Sequence, residues 1–329
     1  MTPAAISPDK ILKDLDLLWV SMSKDQNPDN PDAVLRACAM TLLVATEGDG
    51  EEIGETLAQL VRDHPSRLIV LRVFTAVEPK LEARVLAQCW MPLGRRQQIC
   101  CEQVEIALSP STMADIPPVL RGLIVPDLPV VIWSRGRDVL ALPEFQPILN
   151  LAGKLILDSQ GVADLAGRVR LVESLQSPAR LVADLAWTRL TRWREAVAQV
   201  FDDPATLARL GEIRKIEVQY EGDFLPMSAL YLAAWFKYAL QRGLVIAFTY
   251  AGPSDRARVS RVGLVGEGLD FYVTVGQDGA VEIHSGVRDA RAVFPLLSEY
   301  ELMREELNFL GRDNVYESVL RLVPEFTNR

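Results

Sequence analysis

Residues 67–76 read RLIVLRVFTA, an apolar run rich in β-branched side chains that decides the fold class of the chain. Its composition is typical of a β-strand. Comparable runs lie at 38–45 (CAMTLLVA), 129–133 (PVVIW) and 154–158 (KLILD). Because strands buried on both faces read as continuous hydrophobic runs, these segments predict a largely parallel sheet.

Helical segments at 52–62, near 112–124 and at 161–175 alternate with these strands, which predicts an α/β sheet covered by helices on both faces. The strand-like runs at 83–91 and 98–107 have no helix between them. We therefore expect a hairpin there, and a mixed rather than a purely parallel sheet.

The pattern changes in the last part of the chain, where an apolar helix at 226–242 precedes strands with tight turns within 244–285. Gly243 is a natural C-terminal cap for that helix, and Asp278-Gly279 predicts a hairpin turn. The sequence thus predicts a second, α+β domain with antiparallel strands. The expected organisation is an N-terminal helix and linker at 1–33, an α/β sheet domain at 34–178 and the α+β domain at 179–329.

Composition and motifs exclude several classes of function. The net charge is −9 and the 35 Lys and Arg residues are scattered, so nucleic acid and anionic membranes are poor partners. The chain has no long apolar stretch and starts without an apolar signal core, which favours the cytoplasm. It has only two histidines and lacks the common catalytic, phosphate-loop and CxxC zinc motifs. We therefore expect a protein that is not an enzyme and uses no cofactor or metal.

Cys100 and Cys101 are the one candidate redox feature. As neighbours in a strand they would point to opposite faces, which opposes a bond between them. The simpler interpretation is two buried hydrophobic residues.

The segment PDLPVVIWSRGRD at 126–138 is the first candidate contact region. Trp133, Arg135 and Arg137 follow the end of a buried strand, where partners or ligands of α/β sheets bind, and Trp and Arg are enriched at protein interfaces. The alternatives are an ordinary solvated strand end, or a sugar-phosphate site at Arg135 or Arg137.

The segment DLAWTRLTRWRE at 184–195 is the second. If it is one helix, Trp193 belongs to a buried stripe that Trp187 and Arg194 flank on one side and Arg189 and Arg192 on the other. Alternatively, Thr191 caps a helix that starts at Arg192. Either way Trp187 and the three arginines are candidates for partner contact, while a second possibility is that the segment only packs within the molecule.

These segments resemble the OpcA family of glucose-6-phosphate dehydrogenase assembly proteins. The resemblance weakens after about residue 244. The similar segments, in order, are LRACAMTLLV at 35–44, SRLIVL at 66–71, ICCEQVEI at 99–106, LIVPDLPVVIWSRG at 123–136, LILDS at 155–159 and DLAWTRLTRWREAVAQVF at 184–201.

The resemblance implies a non-catalytic protein that binds glucose-6-phosphate dehydrogenase and promotes its assembly or activity in the oxidative pentose phosphate pathway. A small-ligand regulator or sugar-phosphate enzyme on the same α/β scaffold is the alternative. The sequence sets neither the stoichiometry with the enzyme nor the chain's own oligomeric state.

Overall fold

The chain folds into two compact units, each built from more than one stretch of sequence. The computed structural model describes residues 6–26, 34–48, 53–74, 80–92, 94, 97–136, 139–161, 164–286 and 289–327. The first unit comprises Met1–Asp158, Ser177–Ala183 and Glu299–Leu310, and the second Ser159–Gln176, Asp184–Ser298 and Gly311–Arg329.

This division differs from the predicted one in three places. The N-terminal helix belongs to the first unit, because Ile11 and Leu15 are buried and Trp19 donates a hydrogen bond of 2.8 Å to Glu102 of a sheet strand. The helix predicted at 161–175 belongs to the second unit, and the chain returns to the first unit at 299–310. These exchanges join residues distant in sequence, and local patterns do not reveal them.

The first unit is a mixed, largely parallel sheet with helices, as the sequence predicts. The sheet order is β1-β5-β3-β2-β6-β7-β8, with β4 antiparallel to β5. Its elements are α1 (Pro8–Gln26), β1 (Val34–Arg36), β2 (Met40–Glu47), α2 (Gly54–Asp63), β3 (Ser66–Val73), β4 (Leu81–Trp90), β5 (Gln98–Leu108), α3 (Ile116–Leu123), β6 (Val130–Ser134), α4 (Gln146–Leu149), β7 (Lys154–Leu157), β8 (Leu181–Asp184) and α10 (Glu299–Asn308).

Burial explains why these strands form the centre of the sheet. Seven of the eight residues of β2, and likewise seven of the eight of β3, are buried, as expected for strands covered on both faces. The predicted hairpin is confirmed, since β4 and β5 pair from Leu81 opposite Leu108 to Trp90 opposite Ile99.

The second unit contains a six-stranded sheet in the order β10-β9-β11-β12-β13-β14. All neighbours are antiparallel except β9 and β10, which are parallel because helix α9 crosses between them. Its elements are α5 (Leu165–Ser174), α6 (Leu185–Thr188), α7 (Thr191–Val200), α8 (Pro204–Ala208), β9 (Ile213–Glu221), α9 (Met227–Leu240), β10 (Val245–Gly252), β11 (Arg258–Gly266), β12 (Leu269–Val275), β13 (Ala280–His284), β14 (Asp289–Val293) and α11 (Asn314–Leu322).

Two turn predictions in this unit have different outcomes. The Asp278-Gly279 turn is confirmed: Gly279 has φ of 80° and the Asp278 carboxylate accepts the Ala280 N–H at 3.0 Å. The prediction that Gly243 caps α9 is wrong. The helix ends earlier, and Gln241 adopts the left-handed conformation with φ of 46°.

Across the part of the chain that the structure describes, no helix has the length and apolarity that crossing a membrane requires.

Candidate partner-contact site

Arg135, at the end of β6, is engaged within the first unit. Its guanidinium Nε lies 2.9 and 3.0 Å from the two carboxylate oxygens of Glu299, in the first turn of α10. At the other end of α10, Lys154 of β7 donates to the main-chain oxygens of Glu306 and Phe309 at 2.8 and 2.9 Å. An acid at a helix N-terminus and a cation at its C-terminus both complement the helix dipole. Arg135 therefore holds α10, and its side chain is only 15% exposed.

Trp133 is wrong as a contact residue in this conformation, because it is 1% exposed. It lies in the middle of the sheet, opposite Val44 of β2 and Ile156 of β7. Arg137 lies outside the described residues. The strand end at 129–133 thus offers neither of the two side chains that can be located.

The segment at 184–201 folds around Asp184, a residue that the sequence analysis did not single out. Asp184 is fully buried. One carboxylate oxygen accepts the N–H groups of Ser159 at 3.0 Å and Ala186 at 2.9 Å, and the other accepts the Tyr231 hydroxyl at 2.7 Å. Asp184 is the N-cap of α6, so the sequence signal was an Asp directly before an apolar helical pattern.

Trp187 lies beside this carboxylate in the core of the second unit. Its indole Nε1–H donates to Asp313 at 3.0 Å, and its ring centroid lies 5.7 Å from that of Tyr316 and 6.1 Å from that of Tyr231. The Arg194 guanidinium stacks over the indole at 3.5 Å. With 4% exposure, Trp187 does not present a surface to a partner, and the packing alternative describes it better.

The helix-start predictions for this segment are both corrected. The chain forms two helices, α6 and α7, rather than one. Thr191 is the first residue of α7 rather than its cap, and its hydroxyl donates to the Thr188 carbonyl at 2.8 Å. Trp193 is confirmed as a core residue, packed 5.7 Å from the ring of Phe294.

The three arginines of the segment differ in accessibility. Arg194 is half-buried over Trp187, and Arg189 is also half-buried. The side chain of Arg192 is 56% exposed and pairs with Glu195 at 2.9 Å. Of the predicted contact residues in this segment, Arg192 is the one displayed at the surface, with Arg189 at its margin.

Cys100 is joined to Cys89, and not to Cys101, by a disulfide between β4 and β5. The expectation that no disulfide forms is therefore corrected, while the opposite directions of Cys100 and Cys101 agree with the strand geometry. Cys101 is a free, buried thiol, and burial raises its pKa to about 11. Cys38 is free and exposed. The predicted hairpin could have indicated Cys89, had its register been known.

Strand β5 also carries two buried carboxylates that sequence reasoning missed. Glu102 pairs with Arg67 at 2.7 Å and Arg36 at 2.5 Å, and Glu105 pairs with Arg84. Buried charges are tolerated when they are paired and hydrogen-bonded, so these groups stabilise the sheet. Within the described ranges, no three His, Cys, Asp or Glu residues are grouped to hold a metal ion.

The fold and these clusters define a two-unit protein in which a parallel α/β sheet precedes an antiparallel one, with its most specific sequence block acting as an internal latch of the second unit. Two family models match most of its length. One, described as the glucose-6-phosphate dehydrogenase subunit N-terminal domain, matches residues 58–174, and the corresponding C-terminal domain matches residues 180–320. The chain belongs to the OpcA family.

Relatives in cyanobacteria carry the same family name. The chain is 28% identical over 196 residues to an OpcA protein of Synechocystis sp., covering 59% of this chain and 40% of that protein. It is 26% identical over 199 residues to an OpcA protein of Nostoc punctiforme, covering 60% and 42%. The matches therefore span less than half the length of these relatives.

Solved structures of oxidoreductases resemble the chain at a lower level. A biliverdin reductase from Synechocystis sp. is 11% identical with a TM-score of 0.46, covering 87% of this chain and 97% of that chain. A dehydrogenase from Chromobacterium violaceum is 9% identical with a TM-score of 0.47, covering 90% and 94%. These values are too low to transfer an activity.

Proposed function

We propose that the protein binds glucose-6-phosphate dehydrogenase and promotes its active state in the oxidative pentose phosphate pathway. The observation that carries this proposal is the match of both dehydrogenase-subunit models, in order, along 58–174 and 180–320. The cyanobacterial relatives, whose names place them in the OxPP cycle, support the same pathway.

The proposed mechanism is linkage and needs no chemistry on this chain. A protein that binds one conformation or oligomer of an enzyme better than another shifts the population toward it by the difference in affinity. A coupling of about 1–3 kcal/mol changes substrate affinity roughly 5- to 150-fold.

Arg192 and Arg189 are the proposed contact residues of the predicted set, since Arg192 is exposed and Arg189 partly so. The sugar-phosphate alternative is weakened, because Arg135 already has Glu299 as a carboxylate partner. A phosphate would have to compete with that ion pair.

The test combines the purified chain with the dehydrogenase of its own organism. We expect the two to co-elute on gel filtration, and the apparent KM for glucose 6-phosphate to fall when this protein is added. Arg192→Glu should weaken co-elution, whereas Arg214→Glu, at another exposed arginine of the same unit, should not. No co-elution and unchanged kinetics across pH, salt and redox state would refute the proposal.

A further inference from the structure

Strand β10 at the edge of the second unit's sheet is built unlike a protected edge. Its sequence, VIAFTYAG, has no charged residue and no proline over eight residues. It pairs with β9 on one side, and no other strand among the described residues pairs with it. Eight residues exceed the usual strand length of about 5–6. A long, uncharged edge is a template for pairing with another chain.

The opposite edge of the same sheet follows the usual protective pattern. Strand β14 has five residues, DARAV, and both of its charged residues, Asp289 and Arg291, are exposed. Short length and charge are the devices that discourage edge-to-edge pairing. The two edges therefore differ in the property that decides whether a strand can be added.

The exposed side chains of β10 are of the kind that stabilise cross-strand pairs. Val245 is 62% and Tyr250 55% exposed, and Thr249 is exposed as well. Tyr250 packs at 5.9 Å against Tyr220 of the neighbouring strand, so its ring is already aligned with the sheet. Aromatic and β-branched residues opposite one another contribute roughly 0.2–1 kcal/mol per pair.

We propose that β10 pairs antiparallel with β10 of a second copy of this chain, across a two-fold axis, to form one continuous sheet. Two-fold pairing of a strand with itself brings equivalent residues opposite one another, and like charges directly opposite are destabilising. The uncharged β10 carries no such cost. The same arrangement at β14, centred on Arg291, would set that arginine against its copy.

Sedimentation velocity of the full chain, from about 1 to 100 μM to bracket micromolar affinity, tests the proposal. The chain mass is 36.6 kDa, and we expect the apparent mass to approach twice that value with concentration. Thr249→Lys and Tyr250→Lys should each return it to the monomer mass, since they set like charges near the axis. Ala292→Lys on β14 is the matched control and should leave the dimer intact.

Hydrogen exchange of the unmodified chain provides a readout that does not depend on the variants folding. We expect β10 amides to exchange more slowly at high than at low protein concentration, with β14 unchanged. A monomer mass at every concentration would overturn the proposal, as would a Lys variant that remains dimeric. Protection of β10 only after the dehydrogenase is added would also overturn it, and would assign the edge to a strand of that enzyme.

Discussion

The hydroxyl of Tyr231 donates a 2.7 Å hydrogen bond to the carboxylate of Asp184, which lies 47 residues earlier in the chain and is fully buried. The same hydroxyl lies 3.2 Å from that of Tyr316. Burial and the neighbouring Asp184 carboxylate raise the pKa of Tyr231 well above its ordinary value, so it remains a donor at neutral pH. This bond ties the most specific sequence block, at 184–195, to helices α9 and α11.

Removing this acceptor should strongly destabilise the protein. Asp184→Ala leaves three buried donors without their acceptor: the N–H groups of Ser159 and Ala186 and the Tyr231 hydroxyl. Because each buried unsatisfied group costs about 1–3 kcal/mol, we expect a loss of about 3 kcal/mol or more in the free energy of unfolding. Tyr231→Phe should cost about 1–2 kcal/mol. Urea unfolding followed by circular dichroism measures both.

Tyr220→Phe is the matched control, because Tyr220 is a partly exposed tyrosine of β9 in the same unit. We expect its effect to stay within about 0.5 kcal/mol. If Tyr231→Phe were as mild as this control, the hydrogen bond to Asp184 would not be a significant source of stability.

The contrast between Trp193 and Trp187 shows how far the sequence could be read. Helical periodicity correctly assigned Trp193 to the core, because its environment depends on neighbours within the same segment. The surroundings of Trp187 come from Tyr231 and Asp313, far along the chain. No local pattern encodes such contacts, and the same holds for Arg135 with Glu299 and for Cys89 with Cys100. Continuous apolar runs did suffice for the two sheet types, since strand burial is a local property.

Trp187→Ala and Arg192→Glu should separate packing from partner contact. Trp187 is buried against two tyrosine rings and Arg194, so its truncation should cost about 3–5 kcal/mol. Arg192 is exposed, and its reversal should change stability by no more than about 0.5 kcal/mol. Thermal unfolding measures both. A Trp187→Ala protein of unchanged Tm that no longer binds the dehydrogenase would show instead that Trp187 is a contact residue.

The four cysteines should separate into three classes by reactivity. Cys38 is exposed, Cys101 is buried with its pKa raised to about 11, and Cys89 and Cys100 are bonded to each other. Because the thiolate is the reactive form, iodoacetamide at pH 8 should modify Cys38 rapidly and Cys101 very slowly in the native protein. Cys89 and Cys100 should react only after reduction.

Peptide mass spectrometry of the alkylated chain reads out each site. Unfolding in urea is the control, and it should make Cys101 react as fast as Cys38. Rapid native labelling of Cys89 or Cys100 without reductant would contradict the disulfide.

His64, which follows α2, should make stability depend on pH below neutrality. Burial lowers its pKa below the ordinary 6.5, while the Asp63 carboxylate opposes this shift and the nearby Arg304 charge adds to it. In this range the unfolded chain binds a proton that the folded chain resists. The contribution of His64 is therefore complete above about pH 6.5 and is lost as the pH falls toward the lowered value.

His64→Gln should accordingly flatten the fall in free energy of unfolding between about pH 6.5 and pH 5 relative to the unmodified chain. Gln59→Ala, a non-titrating change on the same helix, controls for general loss of stability and should leave the slope unaltered. Urea unfolding at half-unit pH steps gives the slopes. Identical slopes for the unmodified chain and His64→Gln would mean that burial of this imidazole is not linked to folding, because the linkage relation requires a slope wherever the two states bind different numbers of protons.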